Sequence, residues 1–229
     1  GSRGLGDVYK RQRVYGSTFF VFSDYMKPAI RLAALQKLPV IYVFTHDSLA
    51  VGEDGPTHEP VEQLAALRSI PGLTVYRPAD GNETVAAWEQ AISATDHPTA
   101  IILTRQGLPT LPKPAAKVRA GVKRGGYIVT DAQHEAEGIL MASGSEVKLA
   151  VDAQQRLAEI GHDVRVVSIP SFEKFSSQST DYQESVLPKQ LRRRVAVEMA
   201  SGASWYRYVG LDGVALTQEH FGGCGFGTA

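Results

Sequence analysis

Between Thr45 and His58 the chain reads Thr-His-Asp-Ser-Leu-Ala-Val-Gly-Glu-Asp-Gly-Pro-Thr-His, which gathers two imidazoles and three carboxylates into fourteen positions. Imidazoles in such a loop can donate hydrogen bonds or shuttle protons near neutral pH. Gly52, Gly55 and Pro56 force sharp turns that aim side chains into a crevice. The residue types allow three readings: a polar ligand site, a solvated acidic loop whose aspartates bond their own backbone, and a metal site. The histidine and carboxylate spacing matches neither the zinc patterns nor the calcium loop, which disfavours the metal.

Two more features carry chemical meaning. Phe19, Phe22 and Tyr25 recur at helical spacing, a stripe that by itself reads as plain core. Arg105 follows an apolar run, and its guanidinium suits either bidentate binding of an anion or a surface ion pair. Gly144-Ser145-Glu146 reads as an ordinary helix cap rather than an anion site. Arg192 to Arg194 reads as a solvated charge cluster without a ligand.

Elements that position these residues follow from periodicity. Apolar spacings of three and four predict a helix over 18–37, with Pro28 bending or starting it. Strands are expected at 40–44, 73–76 and 100–104, and helices at 59–69 and 83–93. Further on, strands are expected at 127–130, 138–142, 164–169 and 194–198, with a helix at 146–160. Strand and helix alternate, the signature of crossover units feeding a mostly parallel sheet whose ligands sit at the carboxyl ends of its strands. His46 and Arg105 each come just after such a strand, so both fall on one rim. The prolines between Gly107 and Lys117 suit an extended connector and mark a domain boundary.

Composition sets wider limits. Lys plus Arg equals Asp plus Glu at 24 each, so no net field draws the chain to nucleic acid or an anionic membrane. No apolar stretch approaches the roughly 20 residues of a spanning helix. The single cysteine, Cys224, cannot form an internal disulfide and fits a reducing compartment, with the cytoplasm expected. The opening segment, Gly1 to Gln12, has no apolar run and is expected to be unstructured or foreign to the fold.

The stretch from Val14 to Gln106 resembles the pyrimidine-binding domain of transketolases through GSTFFVFSDYMKPAIRLAALQK, THDSLAVGEDGPTHEPVEQLAALR, YRPAD and ILTRQG. From Gly126 onward, MASGSEVKLA, VRVVSIPS and RVAVE resemble that family's carboxy-terminal domain. The resemblance implies a thiamine-diphosphate-binding α/β fold, a mostly parallel sheet flanked by helices, followed by a second, smaller α/β domain. It divides the chain into a leader (1–13), a partial pyrimidine-binding domain (14–110), a linker (111–122) and a truncated carboxy-terminal domain (123–229).

Carried over position by position, the family's aromatic pocket for the aminopyrimidine falls on Phe19, Phe22 and Tyr25. His46 and Arg105 match residues that grip the phosphate of the sugar, and Asp54 matches the aspartate that recognises a hydroxyl beside the reacting carbonyl. His58 matches the histidine that bonds the donor's carbonyl and hydroxyl oxygens and moves protons; it is the expected catalytic residue. Asp47 and Glu53 are expected to be structural. The implied activity is transfer of a two-carbon ketol unit from a ketose phosphate to an aldose phosphate, in the pentose phosphate pathway, by a homodimer using thiamine diphosphate with Mg2+ or Ca2+.

The family's glutamate that activates the aminopyrimidine has no counterpart in this sequence, and neither do the ligands of the metal and diphosphate. The chain is therefore expected to be a fragment, inactive by itself. Alternative readings are a relative such as deoxyxylulose-phosphate synthase, which shares Asp-Gly-Pro-Thr-His, and a non-catalytic binding module of the same fold.

Overall fold

A computed structural model describes residues 13–52 and 54–222; the expectations for the leader over 1–12, for Glu53, for Cys224 and for the rest of the tail over 223–229 lie outside the described residues. The first sheet comprises β1 (Tyr15–Phe19), β2 (Ile41–Thr45), β3 (Thr74–Tyr76) and β4 (Thr99–Ile102), ordered β1-β2-β4-β3 with every pair parallel. The central strands β2 and β4 are apolar and buried on both faces, as strands sandwiched between helices must be. Helices α1 (Ser23–Leu35), α2 (Gln63–Arg68) and α3 (Gly81–Ser93) connect them.

Helix α4 (Ala115–Arg124) leads to a second sheet of β5 (Tyr127–Thr130), β6 (Gly138–Ala142), β7 (Val164–Ser168), β8 (Arg194–Glu198) and β9 (Val214–Thr217). Its order is β5-β7-β6-β8-β9, antiparallel only at β5. Helices α5 (Glu146–Glu159), α6 (Phe172–Ser176), α7 (Thr180–Val186) and α8 (Tyr206–Val209) complete this unit.

Three expectations change. The helix expected over 18–37 begins only at Ser23, because Thr18 and Phe19 are taken into the parallel ladder against β2, with Phe19 opposite Thr45. A short 3-10 turn over Phe20–Phe22 makes the transition, and Pro28 sits inside the helix rather than at its start. The connector is extended only as far as Pro114: once the prolines stop, the good helix formers of Ala115–Arg124 coil into α4, whose Gly121 lets it lie directly on the Tyr127 ring. Finally, Arg194 is no solvated charge. Its guanidinium donates to the carbonyls of Leu187, Pro188, Leu191 and Tyr208 and staples the start of β8.

The two units share a core. Tyr76, Ala86 and Ala87 of the first pack with Val122, Tyr127 and Val147 of the second in one cluster. At its centre Glu83, on α3, is buried and fully partnered. One carboxylate oxygen accepts the Ala79 amide at 2.8 Å, and the other accepts the hydroxyls of Tyr127 at 2.9 Å and Ser168 at 2.8 Å. Burial pushes this carboxyl up to about 7; its three hydrogen bonds oppose that rise and the neighbouring Asp80 adds to it.

A carboxyl whose folded-state pKa lies above its unfolded value contributes stability that is complete below the unfolded pKa and is lost as pH rises through the folded one. Raising the pH from about 5 to about 8 should therefore cost this chain on the order of 3 kcal/mol, seen as a falling midpoint in thermal unfolding. Glu83→Gln, which keeps the shape and removes the charge, should flatten most of that dependence; an equally steep fall in the variant would exonerate Glu83.

Candidate functional site

Four parallel strands end on one edge, and the expected residues cluster there. Phe19 is the last residue of β1, His46 follows β2, and Arg105 lies three residues past the end of β4. Phe44 and Ile102 are register partners on adjacent strands, so His46 and Arg105 leave the sheet side by side. The Leu103 amide, donating to the Phe44 carbonyl at 2.7 Å, extends this pairing past the formal end of the ladder.

A continuous run of rings lines the rim. His46 stacks on Phe19 with centroids 3.8 Å apart, and Phe19 lies nearly parallel to Phe22 at 6.3 Å. Phe22 then meets Tyr25 at 6.2 Å and His58 edge-on at 5.5 Å. These five side chains, from three separate segments, form one surface. The stripe does not lie on a single helical face, as its spacing suggests: Phe19 closes a strand, Phe22 ends the 3-10 turn and Tyr25 stands in the first turn of α1. The ladder to β2 holds Phe19 in the strand, and the turn supplies the rotation that brings the rings together.

Both histidines are half-buried and oriented by their neighbours. His46 Nδ1 is 3.0 Å from the Thr45 hydroxyl, and His58 Nδ1 is 2.9 Å from the Thr57 hydroxyl. Among the described residues no group bonds either Nε2, which leaves that nitrogen for a ligand. Gly52 and Gly55 adopt positive φ values of 77° and 71°, and they make the loop return from β2 so that His58 reaches Phe22. Asp54, on that return, is exposed, as is Arg105, and among the described residues neither has an ion-pair partner. The structure thus joins His46, His58 and the three aromatic residues in one cluster of rings, while Asp54 and Arg105 are exposed and make no side-chain hydrogen bond or ion pair among the described residues.

Asp47, next to His46, is structural: its carboxylate is buried and paired with Arg77, the residue that follows β3. Sequence reasoning passed over Arg77. The signal that was present is an arginine directly behind a buried apolar strand, a place where a charge must be partnered.

Among the described residues no cluster of three or more His, Cys, Asp or Glu could hold a metal ion. No described helix is long and apolar enough to cross a membrane. Aromatic surface is exposed at this rim: Tyr25 is 85% exposed and Phe19 36%.

Comparison with known proteins places this chain in a family. Residues 6–110 match the model of the transketolase pyrimidine-binding domain, and residues 125–229 match the model of the transketolase-like carboxy-terminal domain. Transketolase of Bacillus subtilis is 57% identical over 211 residues, covering 92% of this chain and 32% of the relative. A Pichia stipitis transketolase solved with sedoheptulose-7-phosphate superposes with a TM-score of 0.85 at 43% identity, over 92% of this chain and 30% of that one. Another structure of the same enzyme, in complex with xylulose-5-phosphate, gives 0.86 at 43% identity over the same shares. The chain spans about a third of the length of the relatives it matches. Two consecutive domain matches, high identity across nearly the whole chain and a shared fold make it a member of the transketolase family.

Proposed function

We propose that this chain provides the pyrimidine-binding and substrate-facing part of a transketolase, an enzyme that moves a two-carbon ketol unit from a ketose phosphate to an aldose phosphate. One observation carries the reading: the ring surface of Phe19, Phe22, Tyr25, His46 and His58 at the carboxyl edge of a parallel sheet. The sugar phosphates bound by the Pichia stipitis relatives support the substrate class.

Within this reading Phe19, Phe22 and Tyr25 hold the aminopyrimidine ring of thiamine diphosphate, and the cofactor, when bound, supplies the carbanion and electron sink for carbon–carbon cleavage. The ring fits these residues. Among the described residues no cluster of three or more His, Cys, Asp or Glu could hold a Mg2+ or Ca2+ ion, and in this reading the metal and the diphosphate are held by another part of the enzyme. His46 and Arg105 bind the substrate phosphate, the imidazole by a hydrogen bond from Nε2 and the guanidinium by a charged fork. His58 Nε2 bonds the donor's carbonyl and hydroxyl oxygens and exchanges a proton with them. Asp54 accepts from a substrate hydroxyl, so a sugar lacking it leaves a carboxylate unpaired.

In this reading the complete enzyme is a homodimer, and the exposed Leu32 and Leu35 of α1 suit a covered surface. The cytoplasm and the pentose phosphate pathway are the corresponding setting. The chain alone is inactive in this reading.

Mixing the 229-residue chain with a separately expressed amino-terminal portion of a transketolase should restore ketol transfer in a coupled assay; no activity at any ratio of the two would favour a binding module instead. In a complete enzyme, Arg105→Ala should raise KM for phosphorylated donors by about 10- to 100-fold while barely changing KM for unphosphorylated ones. An unchanged ratio removes its phosphate role. His58→Ala should lower kcat with thermal stability unchanged, and Asp54→Ala should narrow the preference between donors of opposite hydroxyl configuration; parallel losses of stability and activity would make both residues merely structural.

A further inference from the structure

The second sheet reverses its winding between β6 and β8: from β6 the chain passes through α5 to β7 on one side, then returns to lay β8 against the other side of β6. In open α/β sheets the carboxyl end of such a switch point is where ligands bind. Here a side chain of the first unit occupies it. Arg77, 1% exposed, donates from Nη1 to the Ser143 carbonyl at 2.9 Å and to Glu146 at the start of α5, and its Nη1 lies 3.5 Å from Glu198 at the end of β8. The backbone follows. The Gly144 amide donates to the Arg77 carbonyl at 2.9 Å, and the Arg77 amide donates to the Pro170 carbonyl at 2.9 Å.

Glycine is required at 144 because a Cβ there would come within 2.7 Å of the guanidinium carbon. Ser145 makes no capping bond, contrary to the expectation of an ordinary cap, because its backbone is already helical and its hydroxyl donates to Glu146, the carboxylate that also receives Arg77. Glu198 is held in turn by Arg68 at 2.7 Å and by the indole of Trp205 at 2.7 Å.

The other side of the guanidinium faces the candidate site. Arg77 Nε donates to Asp47 at 2.9 Å, and its Nη2 lies 2.8 Å from the same oxygen. Asp47 follows His46, which has a φ of 64°, a left-handed conformation that costs a non-glycine residue on the order of 1 to 3 kcal/mol and persists only where the surroundings over-determine it. The surroundings here are Arg77 pulling Asp47 inward and Phe19 stacked on the ring.

We propose that Arg77 is a positioning residue: anchored in the carboxy-terminal unit's switch-point crevice, it fixes Asp47 and thereby the orientation in which His46 presents Nε2 to the rim. The functional meaning of this link rests on the reading of His46 as a sugar-phosphate ligand, whereas the link itself is testable without it. Glu146 is the informative handle, since it touches Arg77 from the far unit and leaves Asp47 chemically intact.

The test is a proton–carbon ring spectrum of the histidines of the 229-residue chain, with the His46 peak assigned through His46→Asn. In Glu146→Gln and in Arg77→Lys the His46 peak should move or double, while the peaks of His134 and His162, on remote loops of the second unit, stay in place. Glu146→Asp, which retracts the carboxylate but keeps its charge, carries the same expectation should Glu146→Gln lose the fold. A variant with wild-type far-ultraviolet circular dichroism and cooperative unfolding but an unmoved His46 peak overturns the proposal and leaves the sugar-phosphate reading standing. In a complete enzyme the same variants should raise KM for a phosphorylated donor several-fold with kcat nearly constant; a displaced His46 peak with unchanged KM would sink the reading of His46 as a ligand and not the link.

Discussion

A buried guanidinium ties this molecule together. Arg77 stands between Asp47 of the first unit and Glu146 and Glu198 of the second, with Arg68 bracing Glu198 from behind. Burial alone would pull the pKa of Arg77 down, and the three carboxylates more than reverse this, so the charge is kept. Such a node gives little net stability over a well-packed apolar substitute. Breaking it by removing one member costs roughly 3 to 5 kcal/mol, because the charges left behind are stranded out of water. The fork of the arginine donates to both units at once, and the apolar cluster around Tyr76, Val122 and Tyr127 packs them in the same relative placement.

The rim of the first sheet inherits that placement. Three strand ends are tied at one edge, β1 through the Phe19 ring under His46, β2 through Asp47 and β3 through Arg77. The loop carrying Asp54 is the less constrained part. Its glycines turn it back far enough to set His58 against Phe22, while Asp54 itself stays exposed.

Much of the architecture was legible beforehand because it rests on local patterns. The strands at 127–130, 138–142 and 194–198 appear with the expected bounds, since short β-rich runs between turn signals have few other folds open to them. Helix α5 matches to within a residue. Misreadings arose where distant partners outweighed local period. Phe19 has helical spacing to Phe22 but pairs with Thr45, 26 positions on. Strand β9 and the short helices α6, α7 and α8 have too few residues for a period to declare itself; β9 pairs with β8, and Phe172, Phe175, Val186 and Tyr208 of the helices pack with Met141, Val167 and Ala196 of the sheet in one cluster.

By itself the sequence determined the alternation of strands and helices, the rim on which ligands should be sought, and the set of residues with chemistry to offer, because these depend on residue type and spacing along the chain. Tertiary structure alone decided that Phe19, His46, Phe22, Tyr25 and His58 form one ring surface and that Arg77 fills the crevice of the neighbouring unit. The reason is physical. A buried charge and a stacked ring are satisfied by whatever group the fold brings within a few ångströms, and the residues between two such groups carry no record of that meeting.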